Sequence, residues 1–147
     1  MSLLAEFPVV IELPVQWGDQ DALGHVNNVI FFRWWESSRI AYAERVGVLR
    51  QQPDSTLTTV LASVKCDFRK QLTYPDRLLI GARLGRVGNS SFAVEHRLVS
   101  EKLNEVAAEA VSTMVLFDLS KQQSLRVPES IRVAMRSLEP SREIEGL

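Results

Sequence analysis

Twelve consecutive residues, Trp17-Gly18-Asp19-Gln20-Asp21-Ala22-Leu23-Gly24-His25-Val26-Asn27-Asn28, hold two carboxylates, one of the chain's two histidines, two asparagines and two glycines. They run straight into the most apolar stretch, Val29-Ile30-Phe31-Phe32 and then Trp34-Trp35, and so many polar side chains placed there mark a binding site. The chemistry open to them is narrow. A carboxylate, Asp19 or Asp21, takes a proton from water or attacks an electrophilic carbon itself. A helix starting just afterwards offers unpaired backbone N–H groups, and the positive end of its dipole, to a developing oxyanion. Gly24 would let the backbone approach without a side chain in the way. His25, of a residue type that exchanges protons readily, is a second candidate base, or else it shapes the pocket or is held by backbone in a tight loop. Aspartates also cap turns and helix starts, and that reading suits Asp19.

The elements that must position these groups follow from periodicity. Val9 to Gln16 is a short β-branched run, and Pro14 fits an edge strand rather than a central one. A helix is expected from Asn28, as its cap, to Val46, with Gly47 where a terminating glycine belongs. Its first half is apolar almost all round, which predicts a helix enclosed by other elements; in its second half Arg39, Glu44 and Arg45 should face away. Trp34 and Trp35 read as core, and Glu36 as a partner for Arg33 or Arg39. After a polar connection at Gln51–Ser55 the period changes to two. Leu57–Arg69, Arg77–Val87, Ser91–Ser100 and Val106–Asp118 all read as strands, joined by turns at Tyr74-Pro75-Asp76, Gly88-Asn89-Ser90 and Glu101–Asn104. The alanines of Val106–Met114 would suit a helix, but the preceding turns and Val115-Leu116-Phe117 favour a strand. Pro128 opens a short amphipathic helix, and the tail after Glu139 is polar and expected to fray. This order predicts an α+β fold in which a four-strand antiparallel meander curls round one long helix. One helix covers only part of such a sheet, so self-association along an edge strand or the open face is expected.

Composition narrows the function classes. At 147 residues the chain suits a single domain over residues 1–147, with a core at about 9–138. Seventeen basic against eighteen acidic side chains, without a like-charge block, argue against a nucleic-acid footprint. The apolar runs are too short to span a bilayer and the first residues lack a signal-peptide layout, so a cytoplasmic protein is expected. One cysteine, Cys66, and two histidines supply neither an internal disulfide nor a Cys/His zinc set, so no metal is expected.

The run W-G-D-Q-D-A-L-G-H-V-N-N-V-I-F-F-R-W-W-E, followed by strands of this length and order, resembles the hotdog-fold acyl-CoA thioesterases of the 4-hydroxybenzoyl-CoA thioesterase-like family. The resemblance covers Val9 to about Leu138, and its specific part is the D-x-x-G-H-V-N-N segment. It implies a hotdog fold, with an antiparallel sheet wrapped around a long central helix. It also implies hydrolysis of an acyl-CoA to a carboxylic acid and coenzyme A, without a further cofactor. The second aspartate of the G-D-x-D pair is the family's catalytic carboxylate, which falls on Asp21. The first amides of the central helix polarise the thioester carbonyl, which points to Asn28, with Gly24, His25 and Asn27 around the substrate. Homodimers or homotetramers with active sites between subunits are implied as well.

Coenzyme A phosphates need basic groups and backbone amides. Arg69 and Lys70, at the end of the second strand, are candidates. The turn Arg86-Val87-Gly88-Asn89-Ser90-Ser91 matches in position a loop that holds nucleotide phosphates in parts of the family. Some relatives carry consecutive basic residues there, whereas this chain has one arginine followed by Gly88, Asn89, Ser90 and Ser91, so contacts would rest on backbone and hydroxyls. A non-catalytic acyl-CoA-binding protein on the same fold is the main alternative. A hotdog hydratase or dehydratase fits less well, because neither an H-F-P string nor a hydratase Asp-and-His pair occurs.

Overall fold

The computed structural model describes residues 2–49 and 56–147, and the expected Gln51–Ser55 connection lies outside them. The elements are β1 (Val9–Pro14), a 3-10 turn (Trp17–Asp19), α1 (Asn28–Val46), β2 (Leu57–Phe68), β3 (Arg77–Val87), β4 (Ser91–Ser100), β5 (Glu105–Asp118), a two-residue β6 (Gln123–Ser124) and α2 (Glu129–Leu138). The strands form one antiparallel sheet in the order β1-β3-β4-β5-β2, with β6 paired to β5. This is the hotdog fold, with α1 lying against one sheet face.

Only β3, β4 and β5 form a meander, which corrects the four-strand expectation. Instead of pairing with β3, β2 joins the far side of β5, Leu57 opposite Asp118 through Phe68 opposite Ala108. The chain between β2 and β3 must therefore cross the end of the sheet. There Leu72 is buried, and its carbonyl accepts the Val26 N–H at 2.8 Å. Edge placement of β1 agrees with Pro14, since a proline removes a ladder donor.

The core is the helix–sheet interface. Phe31, Trp34, Trp35, Tyr42, Ala43 and Val46 of α1 are buried, packed on inward residues such as Leu78, Ile80, Leu84, Val94 and Leu98. The helix is not enclosed all round: Val29 is 70% exposed, and Phe32 is also open. At β2 the sheet covers α1 only in part: Val64 and Cys66 pack against the helix–sheet core, while Leu61 and Phe68 on the same inner face stay open. Arg39 does not face away as its charge suggested. It is buried, paired with Glu36 at 3.6 Å, and desolvation pulls its pKa below the usual guanidinium value against the opposing pull of Glu36.

The segment after Glu139 is docked rather than frayed. The buried Glu139 carboxylate accepts the Leu84 N–H and pairs with Arg142, and Ile144 enters the core. Arg86 and Glu145 form a parallel bridge, with Val87 N–H on the Glu145 carbonyl at 2.9 Å. A polar composition hid this because the polar groups themselves dock, Glu139 and Arg142 on the Leu84 backbone, with Ile144 in the core beside them. No helix among the described residues is long and apolar enough to cross a membrane.

Candidate active site

The polar segment is a loop pinned at several points. Asp19 is its anchor: 4% exposed, it accepts the Gln16 N–H at 2.8 Å and the Arg33 Nη2 at 3.0 Å, while its carbonyl takes the Asn27 N–H at 3.0 Å. Asp21 lies at the other end of a tight turn. Its N–H donates to the His25 carbonyl at 2.8 Å, and its carbonyl accepts the Gly24 N–H at 3.1 Å. Gly24 has φ +80°, and open space surrounds the position a Cβ would take. The glycine is therefore required by the left-handed turn, not by the close approach that the sequence suggested.

The Asp21 side chain is exposed, with Oδ1 accepting the Leu23 N–H at 2.9 Å. The aromatic start of the helix does not shelter it within one chain. Asn27, not Asn28, caps the helix: its Oδ1 accepts the Val29 N–H at 3.0 Å and its carbonyl the Ile30 N–H at 2.9 Å. Asn28 is the first helical residue. With the neighbouring amides occupied, its N–H has no partner among the described residues.

A cleft of about 350 Å³ opens beside this loop. Asp21, Leu23, His25, Asn27 and Asn28 form one wall, Phe31 and Phe68 the apolar floor, and Arg69 to Leu72 the opposite wall. The Phe31 and Phe68 rings meet edge to face at 5.1 Å. The cleft thus sets a carboxylate, a free amide at a helix start and two cations around an apolar floor. Arg69 and Lys70 reach it because both their N–H groups bond the Ala107 carbonyl, at 2.8 and 3.0 Å. Their half-exposed heads lie 3.5 Å from Glu109 and 3.8 Å from Glu105, and such surface pairs yield readily to a stronger anion. Phe68, Gln71 and Leu72 escaped the sequence reading; their signal was adjacency to Arg69 and Lys70, legible only once that crossover is known to run past the helix start.

Arg86, Gly88, Asn89, Ser90 and Ser91 do not join this cleft. They sit at the other end of β3, whose eleven residues span roughly 33 Å. His96, the second histidine, is also elsewhere: it is buried between Ser38 Oγ on Nδ1 at 2.8 Å and Ser112 Oγ on Nε2 at 2.9 Å.

Residues 15–135 match the family model described as the Thioesterase-like superfamily. YsmA of Bacillus subtilis (strain 168), itself uncharacterised, is 29% identical over 85 residues, which are 58% of this chain but only 56% of that protein. The long-chain acyl-CoA thioesterase FadM of Escherichia coli (strain K12) is 22% identical over 118 residues, 80% of this chain and 89% of that one. Among solved structures, a thioesterase from Thermus thermophilus complexed with coenzyme A and Zn is 30% identical with a TM-score of 0.79, covering 95% of this chain and 99% of that one.

Proposed function

The chain belongs to the Thioesterase-like superfamily, and from that premise we propose that it is a cytoplasmic acyl-CoA thioesterase acting through Asp21 and the Asn28 amide. The observation that carries the proposal is the cleft itself, where an exposed carboxylate and an unpartnered helix-start N–H flank an apolar floor. The thioester carbonyl oxygen accepts from the Asn28 N–H, which stabilises the charge it gains under attack. Asp21 then takes a proton from water as the water oxygen bonds to the carbonyl carbon, or its own oxygen attacks and water later opens the resulting anhydride. In either course the C–S bond breaks, the sulfur leaves as the coenzyme A thiol, and the acyl group leaves as the carboxylic acid. Gly24, His25 and Asn27 shape the wall beside the acyl group, and Arg69 and Lys70 face the phosphates.

The active assembly in this reading is at least a homodimer. Among the described residues the outer edge of β2 has no neighbour in the sheet, and its inner face exposes Leu61 and Phe68 (43%). Val60 of β2 lies opposite Val115 of β5, which lies opposite Ser91 of β4. A second copy pairing antiparallel along β2 would therefore carry its own Arg86–Ser91 turn to the Phe68 end of the first copy. That turn would stand about three strand spacings, roughly 14 Å, from β2. Its backbone amides and hydroxyls would then meet the nucleotide phosphates of a substrate in the first copy's cleft.

The test is hydrolysis of a panel of acyl-CoAs, followed by release of the thiol, with wild type and Asp21→Asn. The expected loss in kcat is about 10²-fold or more, in line with removal of a positioned base. Undiminished hydrolysis by Asp21→Asn removes the assignment, and binding without hydrolysis by the wild type leaves an acyl-CoA-binding protein. Single turnover in H₂¹⁸O separates the two courses, since only the anhydride path can leave the label in the Asp21 carboxylate.

A further inference from the structure

The Gly88-Asn89-Ser90 turn has an unusual polarity. All three of its carbonyls point inward and are occupied at 2.8 Å: Gly88 by Arg132 Nη2, Asn89 by the Val127 N–H, and Ser90 by the Leu116 N–H. The Asn89 and Ser90 N–H groups meet no acceptor among the described residues. Arg86 adds a guanidinium beside Gly88 that forms no ion pair among the described residues. Acceptors turned in and donors turned out make the surface of a turn attractive to an anion.

What imposes that polarity lies outside the turn. Arg132 of α2 is itself buried and holds three carbonyls from three segments: Val127 at 3.2 Å, Gly88 at 2.8 Å and Gly146 at 3.0 Å. Only a planar fork of donors spans such a set. The third of these carbonyls depends on the 139–147 segment, which is held against Val87 by the bond from Val87 N–H to the Glu145 carbonyl. At Gly146 the backbone has φ +80°, and a Cβ would lie 1.9 Å from the Val87 carbonyl oxygen. No other residue fits there while the segment stays docked.

We propose that Arg132 and Gly146 are positioning residues for coenzyme A: through the docked 139–147 segment they hold the Arg86–Ser91 turn with its donors facing outward to a phosphate. The inference rests on the reading of that turn given above as the nucleotide contact. Neither residue reaches the cleft of Asp21, so the effect belongs to recognition of the nucleotide and not to attack on the thioester.

Coenzyme A titrated calorimetrically into wild type and Gly146→Ala tests this. The variant is expected to bind about tenfold more weakly, and its kcat/KM on an acyl-CoA should fall by a similar factor relative to the same acyl group on pantetheine, which lacks the nucleotide. Equal coenzyme A affinity in the two proteins overturns the inference, as does an equal loss on both thioesters, which marks a general loss of structure. Arg132→Lys keeps the charge and loses the fork, and it is expected to raise KM for acyl-CoA more than it lowers kcat; an unchanged KM likewise overturns the inference. This variant decides the matter if Gly146→Ala does not fold. A wild type that binds coenzyme A more tightly than Gly146→Ala yet hydrolyses no acyl-CoA would sink the thioesterase reading and leave this one standing.

Discussion

Asp19 and Asp21 sit two residues apart in one loop, and their surroundings assign them opposite phenotypes. Asp19 is buried with both carboxylate oxygens engaged, so Asp19→Ala leaves a backbone donor and Arg33 without an acceptor. Urea denaturation should show a loss of about 1–3 kcal/mol, and a midpoint equal to wild type would refute its anchoring role. Asp21→Asn keeps the Oδ1 acceptor for Leu23, so its melting temperature should match wild type even as hydrolysis is lost. His96 gives a pH signature. Burial, and then the Arg39 guanidinium, hold its pKa down at about 3 from an ordinary 6.5. The unfolded chain takes up that proton as pH falls below about 6.5, and the folded one does not until near 3. Stability from this site is therefore complete above 6.5 and declines towards pH 3, by up to ~1.4 kcal/mol per pH unit. Replacing the ring in His96→Gln should flatten that part of the slope in denaturation curves at pH 7, 5.5 and 4.5; parallel slopes would refute it.

At the scale of elements, local chemistry sets the ends of α1. The Asn27 side chain occupies the Val29 N–H, while Gly47 at φ 82° lets Val48 N–H reach the Ala43 carbonyl at 3.0 Å. Asn27→Ala should cost about 1 kcal/mol and Asn27→Ser much less, because serine also caps. Gly47→Ala should cost about 1 kcal/mol through left-handed strain. Thermal melts of the three variants check both statements. These signals act within a few residues, which is why the span Asn28–Val46 and the strands Arg77–Val87 and Ser91–Ser100 could be read from the sequence with their observed ends. The cap was misplaced by one residue because Asn27 and Asn28 are chemically alike, and only backbone geometry distinguishes them.

At the scale of the molecule, the half-covered helix and the open edge of β2 are the same fact. A sheet of this width leaves Val29, Phe32, Leu61 and Phe68 uncovered in one copy. A second copy would cover them and bring its Arg86–Ser91 turn within reach of the cleft. Sedimentation should therefore show a dimer or larger assembly, and Leu61→Glu, on the exposed inner face of β2, should yield a folded monomer that hydrolyses poorly. A Leu61→Glu protein that is fully active as a monomer would remove the second copy from the mechanism.

The sequence by itself determined the elements and the loop in which Asp21, Gly24, His25, Asn27 and Asn28 are gathered, since period, caps and turn residues are local properties. Only the tertiary structure decided where β2 pairs, and with it that Phe68 to Leu72 face the helix start, because strand order depends on contacts between residues far apart in the chain. The same holds for Arg39, whose charge predicted solvent and whose position gave burial. It holds for the segment after Glu139, whose docking joins Glu139 and Arg142 to Leu84, and Glu145 to Val87, across a long stretch of chain that no local pattern spans.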